Sequence, residues 1–75
     1  MEKIDEMLMD FRDEMIYARM SRGVFQSELA ERCGIGMSVG QISRMERGAT
    51  VPRLDTLLLY MAGLGCRLEI VSDDP

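Results

Sequence analysis

Apolar side chains recur at spacings of three and four along the first twenty residues. They are Ile4, Met7, Leu8, Phe11, Met15 and Ala18. This spacing is typical of one face of an amphipathic helix, so the sequence predicts a long first helix from about residue 3 to 21. We expect the helix to bury this apolar face and to leave Met9 and Met20 outside it.

Two shorter helices are predicted next, joined by a turn that contains glycine. The second helix covers residues 26–33 and stops at Gly34. Ser38 and Gln41 form an S-x-x-Q capping box, which predicts a third helix that begins at Val39. Two short helices joined in this way are typical of a DNA-reading helix-turn-helix.

The third helix is predicted to bury Ile42 and Met45, which leaves a face of small and polar residues outside. That face consists of Val39, Gly40, Ser43, Arg44 and Arg47. The first four can reach base edges in a major groove, and Arg44 can pair with guanine through two hydrogen bonds or contact phosphate instead. A solvated face of a small helical bundle would show the same pattern, so both interpretations stay open.

The period of the pattern changes near the C-terminus. A fourth helix is predicted over about residues 54–62, with Leu57, Leu58 and Met61 turned inward. From residue 66 the chain alternates, which predicts a β-strand over 66–71 with an apolar face made of Cys66, Leu68 and Ile70. Because a lone strand leaves its backbone unpaired, we expect two copies to pair across a homodimer.

The distribution of charge along the chain leads to a different expectation from the net charge alone. The formal net charge of −4 argues against binding to nucleic acid. However, residues 1–16 hold six acidic and two basic side chains, and residues 54–75 hold four acidic side chains and one basic side chain. Residues 17–53, in contrast, hold six Arg and three Glu. The basic middle can therefore face phosphates while the acidic ends face solvent or a protein partner.

Length and composition limit the class of protein. We expect one globular domain over residues 1–75, with residues 1–14 as an N-terminal helical extension. No apolar run is long enough for a membrane span and the acidic N-terminus is unlike an export signal, so we expect a cytoplasmic protein with no membrane partner. The chain has two Cys and no His. We therefore expect no metal site, no cofactor, no catalytic residue and no enzymatic activity.

Three stretches resemble the lambda-repressor-like Cro/cI (XRE) family over about residues 15–65. They are R-x-x-R-G-V-F-Q-S-E-L-A-E-R-C-G from Arg19, S-V-G-Q-I-S-R-M-E-R-G from Ser38 and P-R-L-D-T-L-L from Pro52. The resemblance implies an all-α helical bundle whose third helix enters the major groove of double-stranded DNA. It also implies an ion pair between Arg19 and Glu46. The expected contacts to the DNA backbone are Gln26, Ser38, Gln41, Arg47 and Arg53.

The chain departs from the family pattern in three places. It has two residues more than usual between Ala30 and Ile42, so the turn of the helix-turn-helix must be longer or differently folded. Phe25 stands where a side-chain acceptor commonly caps the second helix. Val39 stands where a base-reading Gln is frequent, although a valine can pack on a thymine methyl group.

The segment L-D-T-L-L-L-Y-M-A-G-L-G-C-R-L-E-I-V from Leu54 resembles HipB-type antitoxins. In these proteins a C-terminal strand pairs with its copy across a dimer axis. The resemblance implies a homodimeric repressor that binds a palindromic operator, autoregulates its operon and binds a cognate toxin protein. Two alternatives remain: a stand-alone phage-type or restriction-control repressor, and a protein-interaction module that does not bind DNA.

Overall fold

The computed structural model describes residues 2–74 and contains four α-helices. They are α1 (Glu2–Met20), α2 (Gln26–Cys33), α3 (Val39–Arg47) and α4 (Leu54–Gly63), with a 3₁₀ helix (Gly34–Gly36) between α2 and α3. The predicted all-α class is confirmed for this part of the chain, and Met1 and Pro75 lie outside it. None of these helices is long and apolar enough to cross a membrane.

The hydrophobic core lies where α2, α3 and α4 meet the C-terminal half of α1. Its buried members are Met15, Val24, Leu29, Cys33, Met37, Ile42, Met45, Tyr60, Met61 and Leu64. Leu29 of α2, Ile42 of α3 and Tyr60 of α4 are fully buried. The core thereby fixes α3 against the other helices, with its Ile42 and Met45 inside as the sequence predicts.

The inward face of α4 differs from the prediction. Leu58 was expected to be buried but is 46% exposed, whereas Tyr60 is fully buried. α4 is apolar on nearly every side, so the spacing of its apolar residues does not identify the buried face. The hydroxyl group of Tyr60 has polar partners inside the protein, which the pattern of apolar positions does not show.

The N-terminal half of α1 is also more exposed than predicted. Ile4, Met7 and Leu8 are 47%, 60% and 42% exposed, although all three continue the apolar face that buries Met15. A helix of 19 residues is about 28 Å long. The other helices cover only its C-terminal half, so the first part of the apolar face extends past the core.

The predicted C-terminal strand is not supported in the single chain. Within the described residues there is no β-strand, and residues 66–71 have no regular secondary structure. Cys66 and Leu68 pack partly against the core, while Ile70 and Val71 are exposed. A strand requires backbone hydrogen bonds to a second strand, and residues 2–74 supply none.

Candidate nucleic-acid interface

The start of α3 is held by the capping box that the sequence predicts. The backbone N–H of Gln41 donates to Oγ of Ser38 at 3.2 Å, and the backbone N–H of Ser38 donates to Oε1 of Gln41 at 2.9 Å. Both hydrogen bonds use acceptor atoms of the two side chains. The hydroxyl proton of Ser38 and the amide N–H groups of Gln41 therefore remain suited to donate to a phosphate.

The face of α3 opposite the core is accessible to a ligand. Val39, Gly40, Arg44 and Arg47 are exposed and Ser43 is half-buried. Nη1 of Arg47 donates to Oγ of Ser43 at 2.7 Å, which joins a basic and a polar residue one turn apart. The structure thus brings all five outward residues of the prediction onto one surface.

Arg44 lies back along α3 toward the beginning of the helix. A Cβ atom added to Gly40 would stand 3.3 Å from Nη1 of Arg44, which is tighter than ordinary van der Waals contact. The absence of a side chain at Gly40 therefore lets the guanidinium group rest at the N-terminal turn of α3. In helix-turn-helix proteins that turn is the part of the recognition helix that contacts base edges.

The longer turn before α3 forms the 3₁₀ helix. Ile35 projects fully into solvent, whereas Met37 is buried next to the start of α3. The 3₁₀ helix is thus exposed outside the core, and Met37 packs the end of the turn against the core. The spacing between Ala30 and Ile42 predicts a longer or differently folded turn, and in this chain the turn contains a 3₁₀ helix.

A buried network centred on Glu46 connects all four helices. Nε and Nη2 of Arg19 donate to Oε2 and Oε1 of Glu46 at 2.7 and 2.8 Å, an arrangement in which two parallel hydrogen bonds join the charged groups. The hydroxyl of Tyr60 donates to Oε2 of Glu46 at 2.7 Å, and Nε2 of Gln26 donates to Oε1 at 3.1 Å. The side chains of Arg19 and Glu46 are only 11% and 6% exposed.

The network shifts the ionisation of its members in favour of the ion pair. Burial by itself would raise the pKa of Glu46, but the hydrogen bonds from Arg19, Tyr60 and Gln26 outweigh burial and lower it. The hydrogen bond to Glu46 raises the pKa of Arg19 above its usual value. Burial, followed by the hydrogen bond to Glu46, raises the pKa of Tyr60. Glu46 is therefore ionised and Tyr60 protonated at neutral pH.

Two expected contacts to the DNA backbone already have partners within the chain. Gln26 uses one amide N–H for Glu46, and the second remains suited to donate to a phosphate at the N-terminus of α2. Nη2 of Arg53 lies 3.4 Å from Oδ2 of Asp55, and both side chains are largely exposed. Such an exposed ion pair contributes little to stability, so Arg53 can exchange Asp55 for a phosphate.

Two residues of this region were not predicted as part of it. Tyr60 completes the network at Glu46, and the guanidinium group of Arg12 lies against Gly48 at the end of α3. Gly48 has φ +76°, and a Cβ atom there would collide with Arg12. No local pattern in the sequence pairs Arg12 of α1 with a residue 36 positions later.

The predicted dimerisation residues differ in how deeply they are buried. Cys66 and Leu68 are partly buried against the core of their own chain, whereas Ile70 is exposed. Among residues 2–74, no group of His, Cys, Asp and Glu side chains is arranged to hold a metal ion.

We expect Tyr60 to make stability fall at alkaline pH. Its pKa is raised in the folded chain, so the stabilisation is complete below the ordinary tyrosine pKa of about 10 and is lost as the pH rises above that value. Tyr60→Phe should flatten the fall in melting temperature above about pH 10. Tyr17→Phe is the matched control, because Tyr17 is 74% exposed. Equal alkaline slopes for the two variants would contradict this role.

The chain matches a protein-family model and is similar to known proteins. The family model described as "Helix-turn-helix" matches residues 15–71. An "Uncharacterized HTH-type transcriptional regulator" of Haemophilus influenzae is 40% identical over 58 residues, which are 77% of this chain and 57% of that protein. The "Rho1 guanine nucleotide exchange factor 3" of Schizosaccharomyces pombe is 32% identical over 77 aligned positions, which cover 93% of this chain but 6% of that protein. No solved structure matches.

Proposed function

Because this chain belongs to the helix-turn-helix family, we propose that it is a sequence-specific DNA-binding transcriptional repressor whose α3 reads the major groove. The observation that carries the proposal is the outward face of α3, where Arg44 and Arg47 are exposed beside small residues. The network at Glu46 holds α3 against the other helices on its buried side. The Haemophilus influenzae protein, of which the chain spans 57%, supports a role in transcription by its description.

The proposed contacts fall into two sets. Base edges are read by Val39, Gly40, Ser43 and Arg44, and the DNA backbone is bound by Gln26, Ser38, Gln41, Arg47 and Arg53. The capping box places Ser38 and Gln41 at the N-terminal end of α3, where a phosphate is also attracted by the helix dipole. Since the chain is acidic overall, its attraction to DNA depends on this one surface.

We further propose that the repressor is a homodimer that binds a palindromic operator. Exposed Ile70 and Val71 supply an apolar contact, and backbone pairing of residues 66–71 with a second copy would give these residues the strand that one chain lacks. A twofold axis would then present two copies of α3 to two half-sites.

The biological role that we propose is that of an antitoxin that autoregulates its operon and binds a cognate toxin protein. The resemblance of the segment from Leu54 to HipB-type antitoxins supports it, as does the acidic surface away from α3, which is unsuited to DNA. A stand-alone repressor remains the alternative. Co-expression with the product of an adjacent reading frame, followed by size-exclusion chromatography, separates the two: a stable complex supports the antitoxin role.

The experiment that tests DNA binding measures the affinity of the arginine variants at several salt concentrations. The DNA is a duplex that covers the promoter of the gene for this protein. Arg47→Ala and Arg53→Ala should weaken binding to all sequences alike and reduce the slope of log K against log salt by about one unit each. Arg44→Ala should also change sequence preference, by about 1 to 3 kcal/mol, if it reads a base. Arg32→Ala is the control, because Arg32 is exposed on α2 and contacts Glu28 and Gly63. Normal binding by the chain that carries Arg44→Ala, Arg47→Ala and Arg53→Ala together would exclude this surface as the DNA-binding site.

A further inference from the structure

Arg12 of α1 lies at the C-terminal end of α3. Gly48 ends that helix with φ +76°, and a Cβ atom there would stand 2.9 Å from Cζ of Arg12. The guanidinium group therefore rests on the backbone of Gly48, in space that any other residue would fill with its side chain. Arg12 is half-buried. Besides Glu46, α1 thus contacts the residue that ends α3.

No carboxylate accounts for the position of Arg12. Four ion pairs occur among residues 2–74, and none of them includes Arg12. Asp5 lines the same groove two turns earlier on α1 but forms no ion pair with it. A cation is attracted instead by the C-terminal end of a helix, which carries a partial negative charge. The contact of Arg12 is thus with α3 itself.

This contact lies at the end of α3 that is away from the base-reading residues. Ile42 is fully buried and fixes the middle of the helix in the core, and Gly48 lies about 9 Å further along the helix axis. Val39 and Gly40 lie on the other side of Ile42. A tilt of α3 about Ile42 that moves Gly48 therefore also moves the base-reading turn. Hydrogen bonds to base edges tolerate changes of only about 0.5 Å in length, so a contact that restricts this tilt matters for reading bases.

We propose that Arg12 is a positioning residue of the DNA-binding surface. Its guanidinium group keeps the C-terminal end of α3 on α1, and this contact aligns the N-terminal turn of α3 with the base edges. Arg12 itself contacts no DNA. The proposal rests on the proposed function, because it concerns the alignment of the same surface.

The test compares affinity for the promoter duplex with affinity for a duplex of scrambled sequence, at several salt concentrations. Arg12→Ala should lower the ratio of the two affinities about tenfold, which corresponds to the loss of one good base contact. The slope of log K against log salt should not change, because no phosphate contact is lost. Partial unfolding would not change the ratio, since a smaller folded fraction weakens binding to both duplexes alike. Lys3→Ala is the matched control, because Lys3 is an exposed basic residue of the same helix.

A second substitution tests whether Arg12 acts through Gly48. Gly48→Asn places a side chain where the guanidinium group rests, and Asn tolerates the left-handed backbone conformation of that position. It should lower the affinity ratio as much as Arg12→Ala does. The double variant should be no worse than either single variant, whereas two independent effects would multiply.

Three results would overturn the proposal. The first is an unchanged affinity ratio for Arg12→Ala, and the second is a pair of losses that multiply in the double variant. The third is an equal loss on both duplexes with a salt slope reduced by about one unit, because Arg12 would then be a phosphate contact. If the original chain does not prefer its promoter duplex, the proposed function itself fails. A preference that Arg12→Ala leaves intact contradicts the positioning role alone.

Discussion

Replacing Glu46 with Ala should lower the free energy of unfolding by about 3 to 5 kcal/mol. The substitution leaves the guanidinium group of Arg19 buried without its carboxylate, and it removes the nearer of the two acceptors of the Tyr60 hydroxyl, which keeps only the backbone carbonyl of Met15 at 3.3 Å. Because total stabilities of small domains are only about 5 to 15 kcal/mol, the variant should be largely unfolded well below the melting temperature of the original chain. Urea denaturation followed by circular dichroism measures the loss.

Glu31→Ala is the matched control for this variant. Glu31 is also a helical glutamate but is exposed, so its replacement should change stability by less than about 0.5 kcal/mol. The double variant Arg19→Met with Glu46→Leu should recover part of the loss, since it removes both charges together. Equal stabilities of the two single alanine variants would show that the ion pair does not hold α3 on α1.

Leu68→Pro should convert the proposed homodimer into a monomer and lower its affinity for the proposed operator roughly 10²- to 10⁴-fold. Proline removes a backbone N–H from the segment that we propose to pair across the dimer axis, while every residue of the α3 surface stays intact. Loss of the second half-site contact then accounts for the fall in affinity. Light scattering and a mobility shift measure the two effects, and deletion of residues 66–75 should reproduce both.

Ser72→Pro serves as the control, because it makes the same change just beyond the proposed pairing segment. Circular dichroism must show unchanged helix content for Leu68→Pro, since Leu68 also packs partly against the core. A variant that keeps its fold and remains dimeric would place the dimer contact elsewhere. The exposed Leu54 and Leu58 of α4 would then be the first surface to test.

The sequence predicted those features that have local causes. Ser38, Gln41 and Gly48 fix the two ends of α3 through hydrogen bonds and a backbone conformation within a few residues, and both ends were placed correctly. The outward face of α3 followed from the spacing of Ile42 and Met45. The ion pair between Arg19 and Glu46 came from the family resemblance, and the structure brings the two side chains together.

The features that the sequence did not predict depend on which other segment packs against a residue in the folded structure. The apolar spacing on α1 continues unchanged from Met15 back to Ile4, yet only the C-terminal half of the helix has a neighbour to pack on. Tyr60 shows the same difficulty, because Glu46, which accepts a hydrogen bond from its buried hydroxyl, lies on another helix. The chain beyond residue 66 alternates like a strand, but pairing needs a second strand that is not part of one chain's pattern.

The network at Glu46 also determines which parts of the chain can open separately. The helix α3 carries the carboxylate of Glu46, and each of the other three helices donates a hydrogen bond to it from one side chain. Moving any one of the four helices away therefore exposes or isolates a buried charge. Local opening of a single helix near the network therefore carries the cost of this charge, and we expect these segments to open together as one cooperative unit. The first turns of α1 make no contact with Glu46 and can fray independently of that unit.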